Sequence, residues 1–309
     1  MLAASSAPPS TACGPPRRSS AVMRQVNDDE GLRFQRPMTC SSRGRSLFLG
    51  MPHMSTLPID PIMARPSERP IGYQRWSDLL FVHWRLPADV VQTCVPRPLS
   101  VETWEGDAWV GLVLFQMSGV RPWWACPLPW LSKFPETNLR TYVHVHGGEP
   151  GVWFFSLEAG NPIAVWIARR MWSLNYFWAR MQLDRRGRVL RYASRRRGSN
   201  SPIGTRVAAE IETDTDPPAT FQAAAGTLEH FLVERYRLYT FSADGSLLAG
   251  RVRHSPYPLC HVRLIECDEN LVAAAGLPAS AAPPCHVIYS PGVSVEILPL
   301  LRVQLRSGQ

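Results

Sequence analysis

The chain has 309 residues, a formal net charge of +8 and a hydrophobic fraction of 45%, which is enough apolar material for one large core. No apolar run approaches the roughly 18 residues that a membrane-spanning helix requires. The seven cysteines are irregularly spaced and form no CxxC pair, which disfavours both a zinc site and a disulfide framework. The composition therefore predicts a cytoplasmic protein with reduced thiols, no membrane partner and no metal or other cofactor.

Residues 1–66 differ in composition from the rest of the chain, because Ser, Pro, Arg and Gly dominate and no apolar periodicity appears. A segment of this kind cannot bury enough apolar surface to offset the entropy that is lost when it becomes ordered. We predict that it is disordered or a spurious N-terminal extension, with Met51, Met54 or Met63 as the working start. Residues 67–309 are predicted to form a single domain.

Apolar periodicity and turn residues divide this domain into many strands and few helices. Asn161 followed by Pro162 is typical of a helix N-terminus. A segment rich in Pro and Trp over 121–134 is predicted to be a loop. The predicted strands cover 76–84, 109–117, 138–146, 152–158, 176–184, 189–195, 205–212, 238–242, 247–253, 262–266, 286–290 and 293–303, and the predicted helices cover 87–95, 162–172, 227–236 and 268–275. Because hairpins dominate, we predict a mainly β (α+β) fold in which an antiparallel sheet closes into a barrel with a few peripheral helices.

The strand predicted over 138–146 carries an unusual set of side chains on one face. Successive side chains of a strand point to opposite sides, so its even-numbered residues share a face. These residues are Asn138, Arg140, Tyr142, His144 and His146. A guanidinium fork flanked by an amide and a phenol suits a carboxylate, so this face would form an anion site if it lined a cavity. The alternative is that Arg140 is an interior residue paired with Glu158 or Glu136 for purely structural reasons.

Six segments occur along the chain in the order QRWSDLLFVHW, WEGDAWVGLVLFQMSGVRP, FPETNLRTYV, GVWFFSLEAG, TLEHFLVERYRLY and HSPYPL. Together they resemble the YqjF-like proteins, a bacterial family catalogued as a domain of unknown function, DUF2071. The resemblance covers residues 73–303. It implies the fold of the acetoacetate decarboxylases, a barrel with an enclosed polar cavity, whereas a shared fold does not by itself imply a shared reaction.

The same resemblance implies that decarboxylase chemistry is missing. Acetoacetate decarboxylases form a Schiff base through a lysine that follows a helix, and Tyr176 stands in the matching segment of this chain. A phenol cannot form an iminium, and Arg140 stands near the position of a strand glutamate of those enzymes. Lys133 is the chain's one lysine, and we interpret it as a solvated side chain. Tyr176 is then either a hydrogen-bonding group of the cavity or a core tyrosine.

Two other clusters have plainer interpretations. His144 and His146 share a strand face, but their spacing to Glu149 does not match the HxH…E metal set of cupins, so we predict no metal site. Seven arginines between 185 and 197 have no interleaved stacking aromatics besides Tyr192. We interpret them as a solvated charge cluster and predict no nucleic-acid partner.

The sequence thus leads to the hypothesis of a protein that binds a small molecule inside a barrel. Its polar contacts are predicted to be Asn138, Arg140, Tyr142 and Tyr176, and Arg140 would favour a ligand that bears a carboxylate. Whether the ligand is turned over stays open, and acid–base chemistry on an enolisable acid is favoured over imine chemistry. The alternative is a noncatalytic protein whose polar cluster is only structural. A homo-oligomer is compatible with either hypothesis.

Overall fold

The computed structural model describes residues 68–128, 132–145, 148–199, 201–278 and 282–304. The segment 1–66, for which the sequence predicts disorder, lies outside these residues. Among the helices that are described, none has the length and apolar character needed to cross a membrane. The described part of the chain consists mainly of strands, as predicted.

Long strands carry most of the fold, and the helices are short. The strands are β1 (Gly72–Leu86), β2 (Leu99–Val101), β3 (Thr103–Trp104), β4 (Asp107–Pro122), β5 (Phe134–Val145), β6 (Gly151–Ala159), β7 (Tyr176–Arg186), β8 (Val189–Arg196), β9 (Gly204–Ile211), β10 (Arg237–Phe241), β11 (Leu247–Arg253), β12 (Cys260–Glu269), β13 (His286–Ile297) and β14 (Leu301–Arg302). The helices are α1 (Ala88–Thr93), α2 (Pro162–Trp172), α3 (Leu228–Val233) and α4 (Leu271–Ala274). The helix predicted over 227–236 ends earlier than expected, because Glu234 leaves the helical region with a ψ of 72°.

Nine strands close into a barrel in the order β1, β4, β5, β6, β7, β8, β9, β12 and β13, and β13 pairs back onto β1. The predicted barrel is therefore confirmed. Every pairing in this ring is antiparallel except that of β6 with β7. These two strands run parallel because α2 carries the chain back across the sheet between them, as a parallel connection requires.

Helix α2 has both of the ends that the sequence predicts. The side-chain oxygen of Asn161 accepts hydrogen bonds from the backbone N–H groups of Ile163 at 2.9 Å and Ala164 at 3.2 Å. Pro162 at the first helical position has no N–H that would need a partner. Ser173 then ends the helix in the left-handed conformation, with a φ of 51°. The helix contacts β6 and β7, the two strands that it connects.

Strands β10 and β11 form a second bridge across the sheet. β10 pairs in parallel with β6 and β11 pairs antiparallel with β13, so a seven-strand ring encloses the opposite face of β13, β1, β4, β5 and β6. These five shared strands are covered on both faces, which explains why the strands predicted over 76–84 and 109–117 are rich in apolar residues. In β1, Leu80 and Val82 pack in the nine-strand core, whereas Leu79 and Phe81 face the second ring.

The prediction of two separate strands over 286–290 and 293–303 is wrong, because β13 runs without a break from His286 to Ile297. Gly292 makes this continuity possible. Its φ of 132° is accessible to glycine, and a Cβ at this position would lie 2.2 Å from the carbonyl oxygen of Trp76. Gly292 pairs with Ser77, where β1 is also irregular. Gly292 therefore marks a close approach between β1 and β13 and not the end of a strand.

Candidate functional site

The seven-strand ring encloses a cavity of about 160 Å³, and α2 contributes Ala168 and Trp172 to its wall. Most of the wall is apolar and includes Leu79, Phe81, Val113, Phe115, Val152 and Phe154. Its polar side chains include Glu136, Asn138, Arg140 and Tyr176 together with Arg235, Arg237 and Arg251. The cavity is thus an apolar chamber with a small number of polar and charged groups, which is the usual composition of a small-molecule site.

Strand β5 supplies three consecutive inward side chains to this wall, those of Glu136, Asn138 and Arg140. They are 4%, 6% and 7% exposed, so the polar face of the strand lies in the interior and not in solvent. The odd-numbered Leu139 and Val143 pack in the nine-strand core on the other side. The alternation in the sequence therefore corresponds to the two faces of β5. The predicted residues Asn138, Arg140 and Tyr176 meet at one cavity.

Arg140 is the one arginine of the cavity wall without an acidic partner among the residues that the structure describes. The other three pair with Glu102, Glu149 and Glu68, through Arg235, Arg237 and Arg251 respectively. The Nη2 group of Arg140 donates to the carbonyl oxygen of Leu232 at 2.8 Å, and its Nε has no hydrogen-bond partner among the described residues. The guanidinium lies 5.6 Å from the ring centre of Phe81. Among the described residues, this buried cation is therefore balanced by a carbonyl oxygen and by aromatic faces, and by no carboxylate.

The sequence left open a purely structural ion pair of Arg140 with Glu158 or Glu136. Neither ion pair is present among the described residues. Glu158 faces a different part of the sheet, where its carboxylate accepts from Ser194 at 2.9 Å and from the Nε of Arg196 at 3.0 Å. Glu136 lines the cavity and accepts a hydrogen bond from the hydroxyl of Tyr176 at 3.1 Å. Neither carboxyl group contacts the guanidinium of Arg140.

Glu136 is a cavity residue that the sequence analysis considered only as a partner for Arg140. Burial raises its pKa to about 8, and the hydrogen bond from Tyr176 lowers it by a smaller amount. The carboxyl group is therefore largely protonated at neutral pH. Burial also raises the pKa of Tyr176 well above its usual range. The signal for Glu136 was present in the sequence, since it shares the even-numbered face of β5 with Asn138 and Arg140.

Tyr142 was predicted to contact the ligand, and the structure places it behind the cavity wall. The residue is fully buried, and its hydroxyl donates to the carbonyl oxygen of Leu232 at 2.8 Å. The same carbonyl accepts from Arg140. The β5 alternation continues through Tyr142, but the last turn of α3 packs over this end of the face and excludes it from the cavity. Tyr142 is therefore a residue that positions the carbonyl to which Arg140 is anchored.

A buried histidine completes this arrangement. His83 lies 2.9 Å from the hydroxyl oxygen of Tyr142 through its Nε2 and 3.2 Å from Nδ1 of His286 through its Nδ1. Because Tyr142 gives its proton to Leu232, Nε2 of His83 must be the donor to Tyr142. Burial, with smaller effects of His286 and Arg140, holds the pKa of His83 well below its usual range, so the ring is neutral. The sequence showed His83 only as one polar residue within an apolar strand.

We expect Tyr142→Phe to lower the free energy of unfolding by about 1–3 kcal/mol, because Leu232 loses one donor and His83 loses a buried partner. The affinity for a cavity ligand should fall by less than about tenfold, since the hydroxyl does not reach the cavity. Urea denaturation and ligand titration measure the two effects. A large loss of ligand affinity with unchanged stability would show that Tyr142 contacts the ligand after all.

Gly111 of β4 leaves the space that His83 and Tyr142 occupy. A Cβ at Gly111 would lie 2.9 Å from Cδ2 of His83 and 3.3 Å from the hydroxyl oxygen of Tyr142. We expect Gly111→Ala to cost about 1–3 kcal/mol of stability through this overlap. The matched control is Gly160→Ala, whose Cβ would come no closer than 3.4 Å to its nearest neighbour. Equal melting temperatures for the two variants would contradict the close packing of His83 against Gly111.

The described residues of the histidine and lysine candidates are not among those that line the cavity. His144 is partly buried and Glu149 pairs with Arg237, while His146 lies outside the described residues. Within the described ranges no group of three or more His, Cys, Asp or Glu residues could hold a metal ion. Lys133 is exposed.

Several members of the arginine cluster have local partners. Arg185 pairs with Asp78 at 3.0 Å, and Arg196 pairs with Glu158. Arg197 stacks over the ring of Trp178, with 5.2 Å between the guanidinium carbon and the ring centre. The cluster is thus partly engaged within the barrel wall. The prediction that it does not bind nucleic acid stays a prediction.

The nine-strand barrel has the fold of the acetoacetate decarboxylases. A solved acetoacetate decarboxylase aligns with a TM-score of 0.51 at 14% sequence identity, covering 81% of this chain and 100% of that protein. The enduracididine biosynthesis enzyme MppR, solved in complex with pyruvate, aligns with the same TM-score and identity over 81% of this chain and 97% of its own. At this level of identity the similarity establishes the fold and no activity.

Sequence comparison gives the narrower assignment. The model of the family DUF2071, described as an uncharacterised conserved protein, matches residues 73–294. The uncharacterised protein YqjF of Bacillus subtilis (strain 168) is 34% identical over 186 residues, which cover 60% of this chain and 74% of that protein. The chain therefore belongs to the DUF2071 family, and the resemblance seen in its sequence motifs is confirmed.

Proposed function

We propose that this protein binds a small organic carboxylate in the cavity, with the carboxylate on Arg140. The observation that carries the proposal is the buried guanidinium of Arg140, which has no acidic partner among the described residues and has an Nε without a hydrogen bond. A buried charge is costly unless it is paired, and a carboxylate can accept two hydrogen bonds from one guanidinium. A ligand carboxylate would supply the missing anion.

The size of the cavity supports a compact ligand with an apolar body. An engineered apolar cavity of about 150 Å³ binds benzene, and the cavity here measures about 160 Å³. Its walls are contributed mainly by aliphatic and aromatic side chains, which favour a hydrocarbon portion about the size of one ring. MppR, which shares the fold, was solved with pyruvate, another small carboxylate. The pyruvate bound to MppR agrees with the proposal, but the proposal is based on Arg140.

Imine chemistry is not part of the proposal. The residues known to line the cavity include no lysine, and Lys133 is exposed. Tyr176, which stands where the family resemblance places the Schiff-base lysine, is hydrogen-bonded to Glu136 and cannot form an iminium. Binding of the carboxylate is therefore the activity that the cavity supports best.

The test is calorimetric titration of the protein with phenylacetate and with phenylacetamide, which has the same shape without the charge. We expect phenylacetate to bind and phenylacetamide to bind at least about tenfold more weakly, because only the anion can pair with Arg140. Equal affinities would contradict carboxylate recognition. An absence of binding by phenylacetate and by shorter carboxylates such as pyruvate would favour the alternative, in which the polar cluster is only structural.

A further inference from the structure

Glu136 lies at the opposite end of the β5 face from Arg140, and both side chains line the cavity. Glu136 and Arg140 are four positions apart on one strand, so their Cα atoms are separated by roughly 13 Å. Glu136 uses one carboxyl oxygen to accept from Tyr176, and its other oxygen has no partner among the described residues. Between the two ends, Asn138 has a buried side-chain oxygen without a hydrogen-bond partner in the same part of the chain. The wall therefore offers three polar side chains in a line.

We propose that the ligand carries a hydroxyl group opposite its carboxylate, held between Glu136 and Asn138. This inference rests on the proposed function, since it assumes that the carboxylate lies on Arg140. Such a ligand would be an elongated hydroxy acid with a ring-sized apolar middle. Its two polar ends would match the two polar ends of the β5 face, and its middle would contact the apolar wall.

A hydroxyl group can form hydrogen bonds with both Glu136 and Asn138. The protonated carboxyl of Glu136 is a donor and the oxygen of Asn138 is an acceptor, and a hydroxyl can accept from the first and donate to the second. A ketone or ether oxygen could accept from Glu136 but would leave the oxygen of Asn138 unpaired. A methyl group would leave both unpaired. Buried polar groups without partners are costly, so the site should discriminate against these analogues.

The experiment compares two ligands of equal size, 4-hydroxyphenylacetate and 4-methylphenylacetate, in calorimetric titrations at neutral pH. With the wild-type protein we expect the hydroxylated ligand to bind at least about tenfold more tightly. The comparison between ligands uses one folded protein and does not depend on any variant. If both ligands bind with equal affinity and both require Arg140, the proposed function stands and the hydroxyl inference is wrong. If phenylacetate binds and neither of these two ligands does, the proposed function stands and the hydroxyl inference is wrong. If phenylacetate and pyruvate also fail to bind, the proposed function fails and the inference fails with it.

Two variants test whether Asn138 and Glu136 cause the preference for 4-hydroxyphenylacetate over 4-methylphenylacetate. Asn138→Leu removes the acceptor with little change in size, and Glu136→Leu removes the donor. Each should reduce the preference for the hydroxylated ligand to less than about threefold while 4-methylphenylacetate continues to bind. Thermal melting confirms that each variant is folded. A preference that survives in both folded variants would show that the hydroxyl is recognised elsewhere and would overturn the assignment.

Discussion

Replacing Glu136 with Gln is expected to remove a large pH dependence of stability. The folded carboxyl has a pKa of about 8, raised by burial, against 4.5 for an unperturbed glutamate. Between these values the unfolded chain releases a proton that the folded protein retains, so stability falls as the pH rises. The shift corresponds to roughly 5 kcal/mol, fully developed above pH 8. Gln keeps the acceptor for Tyr176 and cannot ionise.

Chemical denaturation at a series of pH values measures this effect. The free energy of unfolding of Glu136→Gln minus that of the wild type should increase by roughly 5 kcal/mol from about pH 4 to about pH 9. Glu212→Gln, at an exposed glutamate, controls for the loss of one carboxyl group. If the difference between Glu136→Gln and the wild type is constant across this range, Glu136 is not buried as a neutral acid and the polar end of the cavity has been misinterpreted.

Arg140→Met is the second change with a large expected effect, and it should separate binding from stability. The substitution removes a buried guanidinium whose partners are the carbonyl of Leu232 and aromatic rings. Leu232 keeps the hydrogen bond from Tyr142, so its carbonyl stays satisfied. The ligand-free variant should therefore be as stable as the wild type or more stable by about 1–4 kcal/mol.

The same variant should lose the stabilisation that a carboxylate confers. At a phenylacetate concentration of about 100 times Kd, the wild type gains about 2.7 kcal/mol, and Arg140→Met should gain almost none. Arg195→Met is the matched control, because Arg195 is exposed and is not among the residues that line the cavity. Equal stabilisation of Arg140→Met and the wild type by phenylacetate would show that the carboxylate does not lie on Arg140.

Local sequence patterns predicted the elements of this fold well. The cap formed by Asn161 and Pro162 gave the start of α2, and the alternation along β5 gave the set of residues that share the cavity face. The strands predicted over 76–84 and 109–117 fall within β1 and β4. These features depend on a residue and its near neighbours, which is why a single sequence reveals them.

Pairings between distant segments could not be predicted in the same way. The hydrogen bond between Tyr176 and Glu136 joins β7 to β5, and that between His83 and Tyr142 joins β1 to β5. Likewise, β10 pairs in parallel with β6 and closes the second ring, and the apolar pattern of β10 does not predict this pairing. The position of Tyr142 behind the cavity wall could not be predicted for the same reason, because it depends on where α3 packs.

The location of the bound carboxylate tests the central claim most directly. Crystals of the protein grown with 4-bromophenylacetate would locate the ligand through the anomalous signal of bromine. We predict bromine inside the seven-strand ring, towards Glu136, and the carboxylate within about 3 Å of the guanidinium nitrogens of Arg140. Bromine confined to the protein surface, or a ligand whose carboxylate points away from Arg140, would contradict the account.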